Sequence, residues 1–309
     1  MTHTRNQLRG YLLYVTAAAL WSINGSVSKT LLDTGISSMR LSELRVGVAW
    51  LILFIIVALT KPAALKLSGW KEFRLLALYG LLGVTMTQWL YFVAIHLLPV
   101  GVALIIEFTA PLMVAVWVKF AWNHHVSKMT WVGLVIALAG LVLITEVWNG
   151  FALDVIGVLA SVGAAAALAL YFLAGEKAMH SETPRDSLSL TMWGFAFATA
   201  FWAIVQPWWS FPWEYLHGDA TPWGADGLHI PLPIMAAWMI VLGTVIPFWL
   251  ALRAMRDITS SQASAVGMTE PVLASLVAWL MMGEVLSGWQ IIGGVVTLSG
   301  IVIAENARR

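Results

Sequence analysis

Apolar residues in this chain come in continuous runs of about 20, separated by short polar stretches. Coiled into a helix, a run of that length matches the hydrocarbon core of a bilayer. The pattern predicts an all-α integral membrane protein with ten transmembrane helices. The spans lie near 10–28, 44–60, 75–95, 101–119, 130–147, 153–174, 188–206, 233–252, 262–282 and 289–305. No run alternates apolar-out and polar-in like an outer-membrane barrel strand. The first run follows Arg5 and Arg9 as a signal peptide would. Its apolar stretch is too long for one and nine more come after it, so it reads as a retained helix.

Composition agrees. Of 309 residues, 60% are hydrophobic and 11% charged, and mean hydropathy is +0.83. An ordinary soluble domain carries about 25% charged residues. A soluble enzyme, a disordered chain and a nucleic-acid binder are excluded. The absence of cysteine excludes disulfides, thiol catalysis and thiolate metal sites. The 18 Trp suit many membrane interfaces. With the N-terminus placed in the cytoplasm, only Lys29, Arg40 and Arg45 of the 17 Lys and Arg fall outside. The positive-inside rule therefore predicts that both termini are cytoplasmic. The longest loop, 207–232, lacks Lys and Arg and is rich in Trp and Pro. It reads as an outer interfacial cap or as a lid over a substrate path.

Shifting the sequence by 160 positions aligns Ala94 with Ala254, Ala103 with Ala263, Thr109 with Thr269 and Pro111 with Pro271. The same shift aligns Ser127 with Ser287, Gly133 with Gly293, Leu138 with Leu298 and Gly140 with Gly300. The halves, 1–150 and 151–309, then carry five spans each. An odd count makes the second copy enter from the opposite side, giving an inverted-topology repeat. Secondary transporters use that architecture, with substrate held near the midplane between the halves.

Glu107 is the sharpest candidate. It lies about six residues into the fourth span with no basic neighbour in that helix. A charge at that depth costs at least about 2.5 kcal/mol unless paired or wet. The position suits a group that exchanges a proton or binds a substrate amine; the alternative is a carboxylate hydrogen-bonded to helix ends. Glu270, about eight residues into the ninth span, has the same two readings. Pro111 and Pro271 remove backbone donors and predict that their helices kink or break near the midplane. Gln88, Tyr91, Asn24, Trp21, Tyr171 and Trp249 lie at similar depth and form the rest of the expected substrate site. Arg45 either holds a substrate carboxylate or snorkels to headgroups. Glu284 reads as an interfacial cap. Gly133, Gly140, Gly293, Gly294 and Gly300 mark close packing between halves or between protomers, which leaves a homodimer open. His96, His124 and His125 sit at span ends without a second ligand at metal spacing, so no metal and no cofactor is expected.

The blocks Glu107-Phe108-Thr109-Ala110-Pro111 through Gly140, Thr269-Glu270-Pro271 with Trp279 and Gly283-Glu284, and Gly293 to Gly300 resemble the EamA family of the drug/metabolite transporter superfamily. Trp21, Ser22 and Asn24 fit that pattern too. The first block, with Ile246-Pro247-Phe248, is similar to the threonine/homoserine exporter branch. Asn123-His124 stands where the second repeat has Gly283-Glu284. The resemblance implies a ten-helix inner-membrane protein exporting small metabolites, often amino acids, without ATP. Partners would be a small-molecule substrate, lipid and protons. An intramembrane enzyme is disfavoured, because His-Glu-x-x-His, Gly-x-Ser-Gly and a Gly-rich phosphate loop are absent. A lipophilic drug or a lipid remains the rival cargo.

Overall fold

The long apolar runs all close into helices, and the places where they bend or break shape the molecule. The structure is a computed structural model. It describes residues 2–98, 100–149, 154–180, 184–221, 229–282 and 285–307. In chain order the helices are α1 (Thr2–Leu32), α2 (Ser38–Thr60), α3 (Trp70–Ala77), α4 (Met86–Leu97), α5 (Val100–Glu107), α6 (Ala110–Phe120) and α7 (Lys128–Thr145). They continue as α8 (Val155–Met179), α9 (Ser187–Val205), α10 (Leu232–Ile240), α11 (Ile246–Ala254), α12 (Ser260–Gly267), α13 (Glu270–Met282) and α14 (Gly288–Asn306). Polar side chains start several of them. Ser37 caps α2, Asp154 caps α8 and Asp186 caps α9. Ser127 and Ser287, matched by the 160-residue shift, cap α7 and α14.

Two pairs of helices are joined by π-helical turns, Leu78–Thr85 between α3 and α4 and Val241–Val245 between α10 and α11. Such turns insert an extra residue and rotate the helix beyond them. In each, a threonine hydroxyl donates to the carbonyl five residues back: Thr85 to Gly80 and Thr244 to Met239.

Among the described residues, eight helices are long and apolar enough to cross a membrane, judged by length and composition. The two expected spans missing from that set are α1 and the α12–α13 pair. In α1, Thr16, Ser22, Asn24 and Ser26 dilute the apolar run. In the α12–α13 pair Ser260, Ser261, Gln262, Ser264 and Glu270 do the same.

Small residues set the tightest packing. A methyl group at Gly133 would stand 2.6 Å from the Gly300 carbonyl oxygen, and one at Gly293 would stand 2.7 Å from that of Gly140. These two contacts exchange under the 160-residue shift. The glycines therefore bring α7 against α14 within one chain. Around them α4 packs on α8, α1 on α11, and α2 on α9.

The end that carries the N-terminus is tied by polar contacts. Arg9 donates twice to Asp257, at 2.8 and 2.9 Å, and Gln262 donates to the Tyr11 hydroxyl at 2.7 Å. Tyr11 in turn donates to Glu305. Also on this side, the buried Arg185 guanidinium holds Glu72, the Ala64 and Lys66 carbonyls and Ser189. At the opposite end the 207–216 segment lies on α2. Arg40 donates to the Pro207 carbonyl and to Ser210, and Trp208 fills the space left by Gly47. A two-residue ribbon comes next, Asp219–Ala220 antiparallel to Ile230–Pro231. The segment is thus fastened at its start.

Candidate functional site

The broken helices build the site. α5 ends at Glu107 and α6 begins at Ala110, with Pro111 in its first turn. α12 ends at Gly267 and α13 begins at Glu270, followed by Pro271. Proline is tolerated in a first turn because its missing N–H has no partner there anyway. Each proline therefore stands in the first turn of the helix that restarts after a break, one of the two outcomes expected of it. Threonine covers the interrupted backbone in both copies. Thr109 donates to the Ile106 carbonyl at 2.6 Å and Thr269 to that of Val266 at 2.8 Å. The 160-residue shift maps one bond onto the other.

The carboxylates are not equivalent under that shift. Glu107 maps to Gly267 and Glu270 maps to Ala110. One carboxylate thus closes the helix before its break and the other opens the helix after its break.

Both face one cavity of about 620 Å³ lined by α1, α2, α4, α5, α8, α10, α11, α12 and α13, by the start of α6 and by the π turn at Gly83. Glu107 is 9% exposed. The predicted Gln88, Tyr91, Asn24, Trp21 and Tyr171 also line the cavity, as do Pro111 and Pro271. Trp249 does not; it is 38% exposed on the outer surface of the bundle. Phe248 lines the cavity in its place, with its ring centroid 5.2 Å from Trp21 and 5.9 Å from Tyr171. Glu284 lies outside the described residues.

Arg45 lies on the cavity wall. Among the described residues, the charged groups lining the cavity are Arg45, Glu107 and Glu270, and no ion pair within 4.0 Å joins any two of them. Several polar atoms on the wall are buried without a partner: Asn24 Oδ1, Ser28 Oγ, Ser42 Oγ, Arg45 Nε and both amide atoms of Gln88. Such atoms cost about 1–3 kcal/mol each when left dry. Aromatic rings fill the spaces between them, among them Phe92, Phe108 and Phe172. Ser22 fixes the floor: its hydroxyl donates to the Glu270 carbonyl at 2.9 Å and so ties α1 to the start of α13. Among the described residues no three His, Asp or Glu gather as a metal site.

Ser28, Ser42 and Phe248 join the site without having been marked by the sequence. Ser42 and Arg45, three apart, share one face of α2, a spacing that carried the signal. Glu43 was equally unmarked; it is 0% exposed and paired with Arg40 at 2.8 Å.

Comparison with known proteins places this geometry. The sequence profile of the EamA-like transporter family matches the chain twice, over residues 8–146 and 155–305. The threonine/homoserine exporter RhtA of Salmonella typhimurium is 27% identical over 91% of this chain and 86% of its own length. RhtA of Escherichia coli K12 is 25% identical over the same shares. The uncharacterized transporter YdfC of Bacillus subtilis is 24% identical over 85% of this chain and 79% of its own. A solved crystal structure, 19% identical, superposes with a TM-score of 0.75 over 97% of this chain and 98% of its own, and so shares the fold.

Proposed function

The chain belongs to the EamA-like transporter family, and from that membership we propose that it is a proton-coupled secondary exporter of amino acids. The membrane location and a small-molecule cargo follow from the family. Cargo class, coupling and orientation are our reading. One observation carries it: one cavity is lined by two carboxylates, and among the described residues neither is in an ion pair. A carboxylate kept unpaired at membrane depth is a functional-site feature by default. Here it supplies an anion for a substrate ammonium and a group that can take up a proton. The threonine/homoserine exporters among the relatives support the amino-acid cargo.

The working cycle derives from the halves. We read 1–150 and 151–309 as five-helix repeats of inverted topology, with ten spans in an inner membrane and both termini cytoplasmic. The exchange of glycine contacts between α7 and α14 supports the repeat. The α12–α13 pair, though broken, and the polar α1 both line the cavity, as transport helices do. The cavity lining reaches the helix ends at Leu32, Leu41 and Ile95, away from the end tied by Arg9 and Asp257. In our orientation this is an outward-facing form. Rocking of the halves would break the Arg9 ties and close the outer end.

The aromatic walls favour a second cargo, a lipophilic drug. Counterflow of labelled amino acids in proteoliposomes, wild type beside Glu107→Gln, separates the two. Saturable exchange of an amino acid, lost or made independent of pH in the variant, supports the exporter. Exchange of no amino acid, with a lipophilic cation transported instead, replaces it with the drug reading.

A further inference from the structure

Among the described residues, the cavity lining carries one cation, Arg45, beside two carboxylates. Arg45 extends from α2 into the space that holds Glu107 and Glu270, and its Nε is buried without a partner. The Arg45 and Glu270 charges act on each other electrostatically, yet they form no ion pair within 4.0 Å. They therefore line one cavity without neutralising one another by direct contact. Two further hydroxyls of lining residues, those of Ser42 and Ser28, are buried without partners.

The arrangement discriminates between cargo classes. An amine without a carboxylate would satisfy Glu270 and leave the guanidinium buried and unpaired. An organic anion would satisfy Arg45 and add a third negative charge to a cavity that already has two. A buried charge left without a partner is strongly unfavourable. A guest with adjacent positive and negative ends satisfies both, and a guanidinium fork matches a carboxylate bidentately.

We propose that Arg45 is the carboxylate anchor of the cavity, so that an α-amino acid zwitterion bridges Arg45 and Glu270. Glu107 then remains for the proton. The proposal rests on the amino-acid reading above and adds the requirement for a free α-carboxylate.

The test is competition against labelled L-threonine in purified wild-type protein, using L-threonine methyl ester and N-acetyl-L-threonine as probes. Both are expected to compete at least tenfold less well than L-threonine. In Arg45→Gln, L-threonine should weaken at least tenfold while the ester holds its affinity, so the preference for the free acid disappears. Arg45→Lys, which keeps the charge but loses the fork, should fall between. An ester that competes as well as the acid in the wild type overturns the proposal without any variant, even if Arg45→Gln fails to fold. So does an Arg45→Gln protein that keeps the wild-type preference. In both cases transport of L-threonine would leave the amino-acid reading standing. Binding of no free amino acid overturns that reading and this proposal together.

Discussion

Gly300→Ala should destabilise the protein although alanine is the better helix former. A Cβ at Gly300 would stand 2.3 Å from Ala137 N and 2.6 Å from the Gly133 carbonyl oxygen. Both are backbone atoms of α7, which cannot swing aside as a side chain can. Moving the first contact from 2.3 Å to 3.0 Å, the shortest that real Cβ atoms show, parts the helices by about 0.7 Å. Overpacking of this kind costs about 1–3 kcal/mol, and rigid neighbours put it near the upper value. Replacing an interior helical glycine by alanine returns about 1 kcal/mol. The added methyl gains little by burial, because lipid tails are as apolar as the helix interface. The net is a loss of about 2 kcal/mol. Gly25→Ala is the control: it lies inside α1, gains the same helix propensity, and its Cβ would meet nothing within 4 Å. Thermal unfolding in detergent should show Gly300→Ala several degrees below wild type and Gly25→Ala at or above it. Gly140→Ala, with 2.4 Å to Thr297 N, should match Gly300→Ala if the pseudo-symmetry holds. Equal melting temperatures for Gly300→Ala and Gly25→Ala would refute the reasoning.

Other perturbations test the same geometry. Arg185→Ala strands the part-buried Glu72 carboxylate and two backbone carbonyls, and should cost about 1–3 kcal/mol, read as a lowered unfolding temperature. Phe248→Ala should weaken substrate binding, whereas Trp249→Ala, which changes the outer surface of the bundle, should leave it within about twofold of wild type in the same assay. Asp257→Asn should loosen the terminus-side closure by about 1 kcal/mol, roughly a fivefold change in population. Because the chain has no cysteine, a single Ser264→Cys on the cavity wall reports this as faster maleimide labelling from the side that carries the N-terminus.

The sequence exposed depth better than it exposed direction. Run length located the helices, and a carboxylate, an amide or a proline inside a run marked the layer where the cavity lies. Depth alone does not say which side of a helix faces inward. Trp249 and Phe248 share a layer, and the π turn at Val241–Val245 rotates the helix just before them. One residue in an α-helix is about 100° of rotation, so the inserted residue decides which ring meets the cavity. Glu43 was hidden for a related reason. The second apolar run begins only after it, whereas α2 starts at Ser38 and carries the Arg40–Glu43 pair into the protein. The helix breaks were half visible. Proline marked their positions, but the turns at 108–109 and 268–269 rest on the threonine two residues before each proline, whose hydroxyl takes the carbonyl three residues back.

In the proposed cycle, cargo and protons share the cavity through Glu107 and Glu270. The most direct measurement is proton flux driven by a substrate gradient, read with a pH dye trapped in proteoliposomes. An imposed L-threonine gradient should drive protons in the opposite sense in the wild type and none in Glu107→Gln. Threonine transport by the wild type with no accompanying proton movement would contradict that coupling.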